Sequence, residues 1–315
     1  MTDQPARKPC VLFVDDEPRI LNTMRILFRR SYDVLTATSG AEALALLRQH
    51  TVDVVVSDQR MPEMTGIELL RLVRDLQPNA MRVLLTGYSE LNAIIGSINE
   101  GEIFRFVSKP WSNEELQDTL AKAVDAARVD YASLVAGARL GEVGDDAMAA
   151  EDAPGVLILD SDPGSRLSLQ NMLKKDFPEV HTAGNVAECA QLLLEHPNIG
   201  VLVTEAYVQG KPVTSLLALL KQYQPQLVSV VVTDRADANN AIAMINHGQV
   251  YRFLLKPLRE GMAKINVVSA LRHHQVLSRN PELANRHRVE QLQPEPEQLG
   301  LLARLRQRVF SRPGA

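Results

Sequence analysis

Five side chains in the amino-terminal half of this chain have the types needed for phosphoryl chemistry. Two adjacent carboxylates, Asp15 and Asp16, follow one apolar run, and a third, Asp58, closes another. Carboxylates brought together disfavour one another's charge and stay ionised only beside a cation. An all-oxygen set that leaves room for water suits Mg²⁺. A carboxylate beside such an ion can attack a phosphoryl group to give an acyl phosphate, and Asp58, which stands apart from the adjacent pair, is the candidate nucleophile. The Thr86 hydroxyl and the Lys109 ammonium are the fixed donors that charge developing on the transferred oxygens requires. Each residue also has a plainer role when taken singly. Asp16 caps the helix that Pro18 opens, Asp58 is a solvated turn residue, Thr86 a strand-end hydroxyl and Lys109 a surface charge. The chemical reading rests on all five together.

The elements that must hold these residues are legible in the same stretch. Short β-branched runs predict strands over Val11–Val14, Val34–Ala37, Val54–Ser57, Val83–Thr86 and Phe104–Val107, with helical periods between them and a last helix from Ser112. Strands apolar on both faces and alternating with helices predict a five-stranded parallel sheet covered on both sides. In such sheets chemistry collects at the carboxyl ends of the strands, where all five residues fall. Good helix formers continue past Ser112 to about Leu140, longer than one such unit needs, and GEVGDDAMAAEDAPG then reads as a linker.

The chain then repeats itself. VVVSDQRMP around Asp58 pairs with VLVTEAYVQ around Glu205, VLLTGY with VVVTDR, and FRFVSKPW with YRFLLKPL; positions 58 and 205, 86 and 233, and 109 and 256 are each 147 apart. Upstream, VLFVDDEP pairs with VLILDSDP at a spacing of 145, so two residues separate the registers. The second set is Asp160, Ser161, Glu205, Thr233 and Lys256. The predicted organisation is a first unit over 1–140 with an extended last helix, a linker over 141–155, a second unit over 156–279, and a polar tail over 280–315 with a short amphipathic segment near Leu299–Arg312.

Residues 10 to about 130, with VDDEP, VVVSDQRMPEMTGIELL, LLTGY and RFVSKPW in order, resemble the receiver domain of two-component response regulators. The resemblance implies a flavodoxin-like (βα)5 fold in both halves, the second as a degenerate receiver. It further implies phosphorylation of Asp58 by a histidine kinase or a histidine phosphotransfer protein. Mg²⁺ would be held by Asp16 and Asp58, by Asp15 mainly through water, and by the Arg60 backbone carbonyl. Thr86 would swing towards the phosphoryl group, and Phe106, at the switch-aromatic position, would turn inward behind it. A phosphoryl group adds about −1.5 to −2 of charge at one strand end, which is the electrostatic trigger.

In the second half Glu205 stands where the first has Asp58, its carboxylate carried further by one methylene, and Ser161 stands where the first has Asp16. With the metal site weakened, Glu205 and Lys256 can pair permanently. Two readings stay open: a domain held in one state, or drift that keeps the fold for packing and dimerisation. Asp160-Ser161-Asp162 also resembles the nucleophile motif of haloacid-dehalogenase-type phosphatases, but Gly164 breaks that pattern and the repeat explains the same residues.

Composition narrows the output. With 34 basic and 38 acidic residues the net charge is −4, which argues against nucleic-acid binding through bulk electrostatics. Cys10 and Cys189 have no metal or redox spacing, and no apolar run reaches membrane-spanning length, so the expectation is a cytoplasmic protein that binds neither membrane nor nucleic acid. No phosphate-binding glycine loop, zinc spacing or cyclase motif follows, and His273 and His274 read as solvated helix-end residues. The expected protein is not an enzyme beyond its own phosphorylation and dephosphorylation. Its output is phosphorylation-dependent binding of a downstream protein, with homodimerisation through the extended helix as one route and a phosphoryl sink or relay intermediate as the alternative.

Overall fold

In a computed structural model of the chain, residues 7–87, 103–128, 154–234 and 238–285 are described. The chain divides into two units, Met1–Ser133 and Leu134–Ala315. The predicted helix beyond residue 128, the linker to residue 153, and the tail from residue 286 lie outside the described residues.

In the first unit, β1 (Cys10–Val14), β2 (Asp33–Ala37), β3 (Val54–Asp58), β4 (Met81–Gly87) and β5 (Arg105–Lys109) form one parallel sheet in the order β2-β1-β3-β4-β5. The reversal beside β1 is the topological switch point, so the ends of β1 and β3 open onto one crevice. Helices α1 (Pro18–Phe28), α2 (Gly40–Leu47), α3 (Gly66–Leu76) and α4 (Asn113–Ala127) surround it. β1 and β3 are buried at every position, as strands covered on both faces must be. Phe13, Phe28, Val56, Val83 and Leu116 belong to the core between the sheet and α1 and α4, with Phe13 stacked on Phe28 at 5.5 Å.

Two local devices fix where β3 ends. Thr65 and Glu68 form a reciprocal capping box that starts α3. Gly66 then packs so closely under the strand end that a Cβ there would lie 2.2 Å from the Asp58 carbonyl oxygen. The last strand is displaced from its expected span, running Arg105–Lys109 rather than Phe104–Val107, so that Lys109 is itself a strand residue paired with Gly87. Helix α1 takes Glu17, not Asp16, as its N-cap, and without a side-chain bond. Asp16 is thereby an exposed carboxylate with no capping role, contrary to its plainer reading.

The second unit contains β6 (Gly155–Leu159), α5 (Pro163–Leu173), β7 (Val180–Ala183), α6 (Val186–Glu195), β8 (Ile199–Thr204), β9 (Tyr207–Val208), β10 (Lys211–Pro212), α7 (Thr214–Tyr223), β11 (Val228–Thr233), α8 (Ala238–Gly248), β12 (Arg252–Leu255), α9 (Glu260–Arg279) and α10 (Pro281–Asn285). Its five long strands form a second parallel sheet in the order β7-β6-β8-β11-β12, which repeats the first order strand for strand. The sheet begins at Gly155, a residue the sequence placed in the linker. The short antiparallel hairpin β9–β10 was not expected. Its signal was present: Gln209 and Gly210 turn at φ 52° and 77°, the left-handed pair that two-residue hairpins favour. Among the described residues, no helix is long and apolar enough to cross a membrane.

Candidate functional site

The carboxyl ends of β1, β3 and β5 bring three of the expected residues into contact. Lys109 Nζ lies 2.6 Å from Asp58 Oδ1 and 3.6 Å from Asp15 Oδ2. Asp15 and Asp58 are buried, 2% and 5% exposed, whereas Asp16 faces solvent. Ligand atoms of Asp15, Asp16 and Asp58 all lie within 4.8 Å of one another. Asp15 Oδ1 accepts the Glu17 backbone N–H at 2.8 Å, but among the described residues Asp15 Oδ2 accepts no hydrogen bond.

The electrostatics follow from this crowding. Burial pushes the Asp15 carboxyl above the usual carboxylate range; the Glu17 amide and Lys109 oppose the rise, while Asp58 and Asp16 add to it. Burial alone would lower the Lys109 pKa, but contact with Asp58 and Asp15 outweighs it and holds the ammonium above its ordinary value. Among the described residues, three carboxylates therefore gather at one ammonium, beside a buried oxygen that accepts no hydrogen bond. That is the charge and donor set a hard divalent cation takes, so the residues fit Mg²⁺.

Thr86 is fully buried at the end of β4, one register step from the Gly87–Lys109 pair. Phe106 is 2% exposed in β5 and pairs in register with Leu84, so its ring already lies inward. Arg60 has an exposed side chain and sits two residues beyond Asp58 in the loop to α3. That loop is tied down by Gln59, whose carbonyl accepts the Gly66 N–H at 3.1 Å and whose side-chain oxygen accepts the Ile67 N–H at 3.2 Å.

The second unit repeats the arrangement with different donors. Lys256 Nζ lies 2.6 Å from Glu205 Oε2 and 3.0 Å from Asp160 Oδ2. Asp160 Oδ1 accepts the Asp162 N–H at 2.9 Å, as Asp15 accepts that of Glu17. The Lys256 ammonium is likewise held above its ordinary value, burial being outweighed by Glu205 and Asp160. Thr233 is fully buried at the end of β11, the counterpart of Thr86.

The differences all act in one direction. Glu205 has both carboxylate oxygens engaged, because Oε1 accepts the Ala206 N–H at 2.8 Å. The β9–β10 turn reaches across, and Gln209 N–H donates to Ser161 Oγ at 3.3 Å. Two carboxylates face one ammonium, and the described residues of this unit hold no group of three metal-ligating side chains. Asp162, the second acid of the phosphatase-like reading, accepts the Ser165 N–H at 2.6 Å as the N-cap of α5.

His273 and His274 are not solvated helix-end residues. Both are half-buried within α9, which continues to Arg279, and His273 stacks on Tyr251 with ring centroids 4.6 Å apart. Tyr251 lies immediately before β12, far from α9 in the chain, so local sequence gives no sign of the contact.

Residues 11–121 match the family model described as the response regulator receiver domain. Over 126 residues the chain is 40% identical to the hydrogenase transcriptional regulatory protein HoxA of Cupriavidus necator, a match covering 40% of this chain and 26% of that protein. It is 35% identical over 126 residues to the transcriptional regulatory protein GlrR of Escherichia coli, covering 40% of this chain and 28% of that one. The chain thus spans about a quarter of the length of these curated relatives. Among solved structures, the signal receiver domain of an HD domain-containing protein from Pseudomonas fluorescens is 36% identical, covering 40% of this chain and 94% of that chain, with a TM-score of 0.38.

Proposed function

We propose that this chain, whose residues 11–121 are a response regulator receiver domain, accepts a phosphoryl group on Asp58 from a histidine kinase or histidine phosphotransfer protein and signals by binding a downstream protein. The observation that carries the reading is the buried Asp58 carboxylate held at 2.6 Å by Lys109 beside Asp15 and Asp16. In the transfer, an oxygen of Asp58 attacks phosphorus as the bond to the donor's leaving group breaks, giving an acyl phosphate. Asp15, Asp16, Asp58 and the Arg60 carbonyl would hold Mg²⁺, which supplies charge neutralisation on the phosphoryl oxygens. Lys109 moves from the Asp58 carboxylate to the transferred group, and the Thr86 hydroxyl supplies a second donor from the adjacent strand end. The new charge draws Thr86 inward, and Phe106 on the neighbouring strand packs behind it. The altered surface around β4, β5 and the last helix is the binding face.

We further read the second unit as a degenerate receiver that does not accept a phosphoryl group. Its support is the repeated strand order together with the saturated Glu205 carboxylate. The whole chain is then a soluble, non-enzymatic adaptor of the cytoplasm, with homodimerisation as a further route to output.

Capture of partners on immobilised chain tests the adaptor reading. A protein retained by the acetyl-phosphate-treated wild type and lost with Asp58→Asn is expected. Equal retention by both, or no retention beside efficient phosphate uptake, would favour a phosphoryl sink. HoxA and GlrR are by name transcriptional regulators, which motivates a second reading in which this chain controls transcription by contacting DNA. The net charge of −4 weighs against it, and salt-dependent retention of duplex DNA by the full chain would support it.

A further inference from the structure

Lys109 leaves the end of β5 with two kinds of partner. Its ammonium meets Asp58 at 2.6 Å and Asp15 at 3.6 Å. It also lies over the Trp111 ring, with Nζ 5.6 Å from the ring centroid. At that range a cation is attracted by the electron-rich face of an indole, the best of the aromatic rings for this contact. Trp111 is the one tryptophan of the chain. It is half-buried against the core between the sheet and α1 and α4. The next residue, Ser112, caps α4 by accepting the Glu115 N–H at 3.0 Å. The ring is thus fixed between a strand end and a helix start, beside the ammonium.

The second unit keeps the lysine and its carboxylates without this ring. Lys256 meets Glu205 and Asp160 much as Lys109 meets Asp58 and Asp15. Leu258 stands 147 residues beyond Trp111, in the corresponding place. An aliphatic side chain shields an ammonium from water but does not attract it. The lysine that must release a carboxylate during the reaction has the aromatic neighbour, and the lysine whose glutamate partner is already saturated has leucine there.

We propose, on the reading of Asp58 as the acceptor, that Trp111 is a positioning residue for phosphoryl transfer: its ring holds the Lys109 ammonium in the crevice while Asp58 releases it to the transferred oxygens. As the Asp58 oxygen bonds to phosphorus and the bond to the donor's leaving group breaks, negative charge leaves the carboxylate for the phosphoryl oxygens. The ammonium must follow it. Lys109 keeps 28% of its side-chain surface exposed, so water competes for the freed cation. The ring face attracts the cation yet offers no lone pair to compete with the phosphoryl oxygens. It steadies the ammonium most when the carboxylate no longer does, and an interaction that strengthens during the reaction is one that lowers a barrier.

The test compares full-length wild type, Trp111→Leu and Trp111→Phe by two readouts. One is the rate of phosphoryl uptake from Mg²⁺ and acetyl phosphate, followed by intact mass. The other, taken without either reagent, is the Lys109 ε-methylene proton resonance, assigned by its loss in Lys109→Met. In the wild type that resonance is expected upfield of the other lysines, because it lies over the ring. Trp111→Leu, which copies the second unit, is expected to return it to their range and to slow uptake about two- to fivefold. Trp111→Phe keeps an aromatic face, and is expected to retain part of the upfield shift and an uptake rate within about twofold of wild type. An unshifted wild-type resonance, equal rates in wild type and Trp111→Leu, or a Trp111→Phe variant as slow as Trp111→Leu would overturn the proposal. Uptake that Trp111→Leu leaves unchanged strikes this role alone, whereas no uptake at Asp58 in the wild type strikes the acceptor reading with it.

Discussion

Lys109→Met and Lys256→Met each lower the stability of their own unit by about 3 kcal/mol in magnesium-free buffer, and added magnesium restores the first variant and not the second. The cost is the lower end of the range for breaking a buried ion pair, because each lysine keeps about a quarter of its side-chain surface exposed (28% and 24%). Both losses strand two acids, Asp58 with Asp15 in one unit and Glu205 with Asp160 in the other. Rescue then depends on what else is present. In the first unit Asp16 completes a group of three carboxylates, and a cation that binds only the folded form adds stability as its concentration exceeds its Kd. In the second unit Ser161 offers a neutral oxygen that already accepts the Gln209 N–H, and Glu205 Oε1 is held by Ala206. Urea unfolding of both variants, with and without magnesium, checks this. Rescue of both, or of neither, would mean that the two sites differ less than their ligands suggest.

The double substitution Ser161→Asp with Glu205→Asp converts the second unit into a phosphoryl acceptor. Measured in an Asp58→Asn background, where the first unit is silent, the expected change is from no uptake of phosphate from acetyl phosphate to near-stoichiometric uptake. Glu205→Asp withdraws the carboxylate by one methylene and frees it from its bond to the adjacent amide. Ser161→Asp restores the third carboxylate, and the Gln209 amide that now donates to the serine hydroxyl can donate to its replacement instead. Lys256, Asp160 and Thr233 already stand where Lys109, Asp15 and Thr86 stand. Neither single substitution suffices, because one leaves the metal site with two acids and the other leaves the acceptor carboxylate saturated. Uptake by Glu205→Asp alone, equal to that of the double variant, would show that the third acid is dispensable and would overturn the account of why the second site is silent.

Much of this was legible in the sequence because strand ends carry the chemistry. In a parallel sheet the strands are apolar throughout, so the first charged residue after each run marks the carboxyl edge, and the sequence pattern alone puts Asp15, Asp58 and Lys109 on one crevice. The repeat at 147 residues then carried the same reading to Glu205, Thr233 and Lys256. What stayed hidden depended on contacts between distant segments. The bond from Ala206 to Glu205 is local, but whether a glutamate folds back on its own neighbour is decided by the pocket around it. The β9–β10 hairpin was announced only by Gln209-Gly210, a two-residue signal too short to outweigh the helix and strand periods on either side. The burial of His273 and His274 comes from Tyr251 and from the loop carrying Gln226, neither of which is near them in the chain.

The central claim is that two sheets of one design hold one working acceptor. It is tested most directly by the intact mass of the full chain after incubation with Mg²⁺ and acetyl phosphate, wild type beside Asp58→Asn. A single phosphoryl increment in the wild type, absent from the variant, is the predicted result. Two increments, or one that survives Asp58→Asn, would place an acceptor in the second unit and contradict the claim.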